Sequence, residues 1–462
     1  MKRILSVLLI LVVHLTWVGN AWADQNSTWS KIEQMRQEAL DRLPGNDEAT
    51  AETSDDVLIN ETQANTDWMS YFDWNAFGVP VLNLAGDCTG MTRNDYVSLA
   101  FTFMGMSGVL ECKMQGSSSV NTGIEIGSQF DDDVGGLFNF TLKFPEAFEA
   151  HEGWGAQKKY VFKADAIDHS HLRNIGSYKV WGQIVKSRAN VPPELADLPN
   201  GGAPDGFPVI IVLNGKYYAI GNFTIPKDAW LFQSENFSPK AILCADAHVD
   251  ATRFKALATL DGDFALEYVE DAENADWVLE SINTAIQAVM DSDGTDIDTV
   301  VAKYIDIPSA IDYYNYTVNE NADDGIDKNY ILVTFDGVKW YFSAYDRDTV
   351  YGLQWNGKSF TSPEGGVTYA RFAKTHALMN LIYTYKRPEL KARAIELRNG
   401  VMSEANIATL FTNYATGFPA AVLAKNAERW PLLRSTNSSN LAQILNWYRL
   451  RRLYLDPLVD GM

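Results

Sequence analysis

Two short acidic runs carry the strongest chemical signal in this sequence. The first is Asp323-Asp324-Gly325-Ile326-Asp327-Lys328-Asn329, and the second is Tyr345-Asp346-Arg347-Asp348. Carboxylates and an amide are hard oxygen donors, the kind that Mg2+ and Mn2+ take. Between the runs lie two apolar stretches, Tyr330 to Phe335 and Val338 to Ala344, separated by Asp336-Gly337. That pattern predicts a hairpin. A hairpin returns the chain to its starting edge, so Asn329 and Asp346 are expected near one another. The competing reading is helix capping and turn chemistry, where Asp and Asn are favoured in any protein.

The elements that must hold these residues change character along the chain. Phe138 to Phe144 alternates apolar and polar residues at period two, and Lys159 to Ala164 is similar. Both read as strands. Pro208 to Leu213 runs into Asn214-Gly215 and then Lys216 to Ile220, the clearest hairpin signal in the sequence. Residues 190–207, rich in Pro, Gly and Asp, are expected to form a surface loop. Beyond about 270 helical patterns dominate: Trp277 to Met290, Ser309 to Val318, then 367–386, 388–399, 403–425 and 438–455. A β-rich N-terminal half and a helical C-terminal half make an α+β protein of two lobes.

The chain has 462 residues, of which 46% are hydrophobic and 21% charged, enough for a large core. Its net charge of −21 disfavours phosphate backbones and anionic lipid as general partners, so no nucleic-acid partner is expected. Residues 1–23 read as a signal peptide. Lys2 and Arg3 precede an apolar run, and Ala21-Trp22-Ala23 gives the small-x-small cleavage pattern. The mature protein is then extracytoplasmic: periplasmic, cell-surface or secreted. No integral membrane segment is expected after leader cleavage. Residues 24–66 read as an acidic flexible lead-in.

Other chemistries find less support. Cys88, Cys112 and Cys244 permit one disulfide, with Cys88–Cys112 the first choice, or three buried thiols. His169 and His171 lack partner ligands at zinc spacing. Asp291 to Asp298 departs from the EF-hand template, with Gly294 at the fourth place instead of the sixth. No G-x-S-x-G elbow occurs, and most of the Trp residues are explained by core packing as readily as by a sugar cleft.

Asp324 and Asn329 stand at D-x4-N spacing. In protein kinases that spacing sets a carboxylate near the acceptor hydroxyl and an amide on the metal, and two short strands and a metal-binding Asp follow. Further segments extend the likeness: Met114-Gln115-Gly116-Ser117-Ser118-Ser119, Asn139 to Phe144, Tyr160 to Asp168 with Leu172-Arg173-Asn174, Leu213 to Tyr217, Lys328-Asn329-Tyr330 and Tyr345 to Gly352. In this order the segments resemble those of the CotH-type kinases, the spore-coat kinases and their bacterial and phage-associated relatives, over roughly 85 to 390.

The resemblance implies an atypical protein-kinase-like fold and ATP-dependent phosphoryl transfer to Ser or Thr of a partner protein. Asp324 is then the base or acceptor-positioning carboxylate. Asn329 and Asp346 hold Mg2+ or Mn2+, with Asp348 as a second ligand or support. Gln115, Gly116, Ser117, Ser118 and Ser119 approach the phosphates of ATP, with Lys143, Lys163 and Lys227 as candidate phosphate contacts. The kinase-like domain is expected over 67–390, with 391–462 as a helical extension packed on the C-terminal lobe. Two departures stand out. Asp131-Asp132-Asp133 occupies a place usually basic in the family, and Thr224-Ile225-Pro226-Lys227 stands where the family has a Glu. They motivate a second reading, a catalytically degenerate domain that binds a cell-envelope partner.

Overall fold

The computed structural model describes Met69 and residues 73–116, 118–126, 135–260, 262–436 and 438–462. The expected leader, the acidic lead-in, Ser117 and Asp131 to Asp133 lie outside the described residues.

Seven strands close into a barrel in the order β1-β2-β3-β4-β5-β7-β6. They are β1 (Val81–Ala85), β2 (Val97–Phe103), β3 (Met106–Gln115), β4 (Asn139–Phe148), β5 (Gln157–Lys163), β6 (Gly206–Leu213) and β7 (Lys216–Thr224). Helix α1 (Ser118–Ile126) follows β3, and α2 (Arg173–Lys186) links β5 towards β6. Parallel pairing of β6 with β1 completes the ring. Alternation decides which side chains fill it. Phe140, Leu142 and Phe144 of β4, Tyr160 and Phe162 of β5 and Phe223 of β7 are almost fully buried. Their rings pack together, Tyr160 on Phe223 at 4.8 Å and Phe101 edge-on to Phe144 at 5.0 Å between centroids. The interior is therefore a packed core. The expected Asn-Gly hairpin joins β6 and β7. Both turn residues have positive φ, 49° at Asn214 and 77° at Gly215, the twist that such two-residue turns need.

A second, four-stranded antiparallel sheet has the order β11-β10-β8-β9, formed by β8 (Ala241–Ala245), β9 (Phe264–Val269), β10 (Tyr330–Thr334) and β11 (Trp340–Ala344). Helices α3 (Asp276–Asp291) and α4 (Ile307–Glu320) precede the β10–β11 hairpin. Asp306 caps α4 by accepting from Ser309 N at 2.8 Å, and Asn321 ends it in the left-handed region. The chain closes with α5 (Tyr369–Thr375), α6 (Ala377–Tyr385), α7 (Arg387–Asn399), α8 (Glu404–Ala415), α9 (Ala420–Arg429) and α10 (Leu441–Asp460). The protein is mixed α+β, β-rich at first and helical later.

Three expectations are corrected. Residues 190–207 are not simply a surface loop, because Leu195, Leu198, Gly201, Gly202 and Ala203 are buried. Asn200 holds the segment against α2 by donating to Tyr178 O at 3.0 Å, and a Cβ on Gly182 would meet Asn200 Oδ1 at 2.2 Å. The single helix read over 367–386 is two, broken at an extended His376 whose buried ring packs on Phe254 at 5.0 Å. The helix read over 403–425 also breaks, at Gly417-Phe418-Pro419, where proline cannot donate the next backbone hydrogen bond.

The segment after 390 reaches both parts of the structure. Trp430 Nε1, following α9, donates to Tyr218 O of β7 at 2.8 Å, and Trp447 Nε1 of α10 donates to Thr361 O at 2.8 Å. All three cysteines are buried, and the first-choice Cys88–Cys112 disulfide is absent. Among the described residues no single helix is long and apolar enough to cross a membrane. Helices α8 and α9 together meet the length and composition test, bent by 69°.

Candidate active site

The β10–β11 hairpin does what its sequence requires. Tyr330 pairs with Ala344, which sets Asn329 and Tyr345 at its open end and Asp346 one residue beyond. Asn329 N donates to Ala245 O of β8 at 3.0 Å. Asn329 and Asp346 both adopt positive φ, 56° and 49°. Asn and Asp enter this region more readily than other side chains.

The segment from Asp165 to Asn174 and helix α2 hold the Asp346 loop. Asn174 Oδ1 accepts from Arg347 N at 2.6 Å, Tyr178 OH accepts from Asp346 N at 2.8 Å, and Arg173 Nε donates to Val350 O at 2.8 Å. Arg173 is in turn fixed by the buried carboxylate of Asp168. Three side chains thus pin the backbone from 346 to 350. The carboxylates of Asp346 and Asp348 have no hydrogen bond or ion pair among the described residues, and neither has the side-chain amide of Asn329.

A polar row on the outside of the barrel faces this loop. Gln115 pairs with Asn139, Lys163 pairs with Asn222, and Asn139 stands one rung beyond the Phe140–Phe162 pair. Gln115, Asn139, Lys163 and Asn222 therefore share one rung across β3, β4, β5 and β7. Asn139 Oδ1 accepts from Ala164 N at 2.8 Å, while Asn222 Nδ2 donates to Asp165 Oδ2 at 2.8 Å. Gly116 follows Gln115 along the chain at φ 102°, and a Cβ there would lie 1.9 Å from Ser119 Oγ. Only glycine fits this turn into α1, whose first residues are Ser118 and Ser119.

Of the three candidate lysines, two reach the cluster. Lys163 Nζ lies 6.0 Å and Lys227 Nζ 4.7 Å from the ring centroid of Tyr345. Burial pulls the Lys163 ammonium down, but Tyr345, Asp346, Asp348 and Asp165 more than offset this and hold it above its ordinary value. Lys227 is also held high, with Tyr345, Cys244 and its ion-pair partner Glu267 outweighing burial. Lys143 is elsewhere. It points outward from β4, pairs with Glu111 at 3.2 Å, and sits opposite Lys159, four residues down β5 from Lys163, or about 13 Å away.

Asp324 opens a 3-10 turn, Asp324–Ile326, just before the hairpin. Burial raises its pKa, Asp346 and Asp323 add to the rise, and His248 and Lys328 oppose it. Asp348 is pushed well above the carboxylate range by burial and then by Asp346, against the pull of Lys163. Asp324, Asp346, Asp348 and Lys163 thus lie near enough to influence one another's charge. Among the described residues, no three of His, Cys, Asp or Glu converge into a complete metal cage. Asn329, Asp346 and Asp348 nevertheless fit a hard cation, since their oxygens lack protein partners and crowd like charges. A cation there would take its remaining ligands from phosphate and water, the usual manner of Mg2+.

Sequence reasoning missed Glu267 and His248. A Glu was sought at the end of the first hairpin, and Glu267 comes instead from β9, forty residues later. His248 had no signal, because only folding brings it against Asp327 at 2.7 Å and near Asp324 at 3.9 Å.

No curated protein matches this sequence. A family description, CotH kinase protein, matches residues 138–455. That span includes the hairpin, both acidic runs, α2 and most of α10, and leaves the Gly116 turn outside it. With more than half of its length matched, the chain belongs to the CotH kinase family.

Proposed function

We propose that this protein is an exported kinase that transfers the γ-phosphoryl group of ATP to Ser or Thr of a partner protein, with Mg2+ or Mn2+. In this reading the barrel and the helical part act as the two lobes of an atypical protein-kinase-like fold, with ATP between Lys163 and the Asp346 loop. The observation that carries it is the gathering of Asp324, Asn329, Asp346 and Asp348 opposite Lys163, at the mouth of one hairpin. Phosphoryl transfer needs neutralised phosphates and an in-line hydroxyl more than covalent chemistry.

Asn329 and Asp346 would hold the cation, supported by Asp348, and the cation would offset charge on the phosphate oxygens. Lys163 supplies a fixed positive charge across the site. Lys227 is oriented by Glu267 and Tyr345 towards the same space. Backbone N–H groups at Gly116 and the start of α1 suit phosphate oxygens. Asp324 positions the acceptor hydroxyl and accepts its proton. ATP titration with Mg2+ or Mn2+, coupled to a phosphotransfer assay, tests the proposal. Nucleotide binding and turnover in wild type but not in Asp346→Ala support it, and equal inertness of both removes it.

A second reading, a non-catalytic module that binds an envelope partner, draws on the neutralisation of Lys227 by Glu267. Stable partner binding that is unchanged in Asp324→Ala, with no turnover in wild type, favours that reading.

A further inference from the structure

His248 stands at the mouth of the site, and its two ring nitrogens face two different carboxylates. Nδ1 lies 2.7 Å from Asp327 Oδ1, and Nε2 lies 3.9 Å from Asp324 Oδ1. Asp327 is 4% exposed, and its other oxygen accepts from Arg253 Nε at 2.7 Å. A carboxylate oxygen beside arginine accepts its hydrogen bonds. Nδ1 must therefore carry the hydrogen of the short contact, which turns Nε2 towards Asp324. The series Arg253, Asp327, His248, Asp324 has the logic of a base oriented by a carboxylate behind it. The imidazole is about half exposed, so core packing does not account for its place.

We propose that His248 is a positioning residue of the phosphotransfer site, acting through Asp324 to share the proton that the acceptor hydroxyl gives up. The proposal rests on the phosphotransfer reading above. In the step, the acceptor O–H bond breaks as its oxygen bonds to the γ-phosphorus. The bond from that phosphorus to the bridging oxygen breaks, and the nucleoside diphosphate leaves with that electron pair. The released proton passes to Asp324, and His248 Nε2 is placed to receive it from there. The 3.9 Å separation is long for a hydrogen bond, as acid–base contacts often are before substrate binds.

The test is His248→Asn in the full chain. The asparagine amide can still donate to Asp327 but presents nothing to Asp324. Turnover of a Ser-containing acceptor is measured beside calorimetric Mg2+–ATP binding and the melting temperature. The expected result is a kcat lower by about tenfold to a hundredfold, with nucleotide affinity and melting temperature unchanged. If the Asn variant does not fold, His248→Ala is assayed with and without added imidazole: rescue of turnover supports the proposal, and wild-type turnover without imidazole overturns it. Wild-type kcat in the variant overturns the proposal. So does a parallel fall of kcat, nucleotide affinity and melting temperature, which marks a structural role. A wild-type protein that binds Mg2+–ATP but transfers no phosphate overturns the phosphotransfer reading itself, and this inference with it.

Discussion

The side-chain oxygen of Asn174 accepts a hydrogen bond from the backbone N–H of Arg347 at 2.6 Å, at the residue between Asp346 and Asp348. A single amide on α2 thus sets the backbone from which both carboxylates project. Removing it leaves a buried N–H unpaired, at a cost of about 1–3 kcal/mol. Asn174→Ala should lower stability by that amount in urea denaturation. It should reduce phosphotransfer further than the stability loss explains, because Asp346 and Asp348 are no longer held in register. Unchanged turnover in the folded fraction would show that Tyr178 and Arg173 suffice to hold the loop.

The lysines separate by where their strands point. Lys163→Met should weaken Mg2+–ATP binding by about tenfold to a hundredfold, the worth of a charged hydrogen bond. Lys143→Met should leave binding unchanged and alter stability by less than about 0.5 kcal/mol, since its pair with Glu111 is exposed. Calorimetric titration of the two variants checks this. An equal loss in both would place the nucleotide elsewhere on the barrel.

Glu320 gives a pH-dependent stability term. Its side chain is buried, and Tyr351 OH donates to Oε1 at 2.7 Å. Burial raises its pKa from the model-peptide value of 4.5 to about 7, although Arg347 and Tyr351 pull the other way. A raised carboxyl pKa means that the folded state binds the proton more tightly. Its contribution is fully present below pH 4.5 and is lost as pH rises through about 7. The difference is on the order of 3 kcal/mol. Relative to wild type, Glu320→Gln should gain about that much between pH 4 and pH 8 in urea denaturation. Parallel pH–stability curves for the two proteins would contradict it.

Legibility in the sequence followed locality. The two hairpins were readable because Asn214-Gly215 and Asp336-Gly337 fix their turns, and from the second the nearness of Asn329 and Asp346 followed. The body of α4 was readable as Ser309 to Val318 from local helical pattern, whereas its cap at Asp306 was not. Barrel closure was not, since parallel pairing of β1 with β6 joins residues some 130 positions apart and leaves no local pattern. The strands β8 and β9 were missed because Ala241–Ala245 is short and fully buried, without alternation. Lys143 and Lys163 both read as strand lysines, with only the fuller family motif favouring Lys163. Only the register of β4 against β5 separates an exposed surface pair from a residue facing Asp346. Glu267 and His248 reach the site through tertiary pairing alone.

The central claim is that Asp346, with Asn329, makes phosphotransfer depend on a divalent cation. The most direct measurement is γ-phosphate transfer from labelled ATP to a Ser-containing acceptor, with Mg2+, with Mn2+ and with excess EDTA, in wild type and Asp346→Ala. The account predicts turnover in wild type with either cation, its loss in EDTA and its recovery on re-addition, with Asp346→Ala inert throughout. Turnover in wild type that persists in EDTA, or turnover in Asp346→Ala equal to that of wild type, would contradict it.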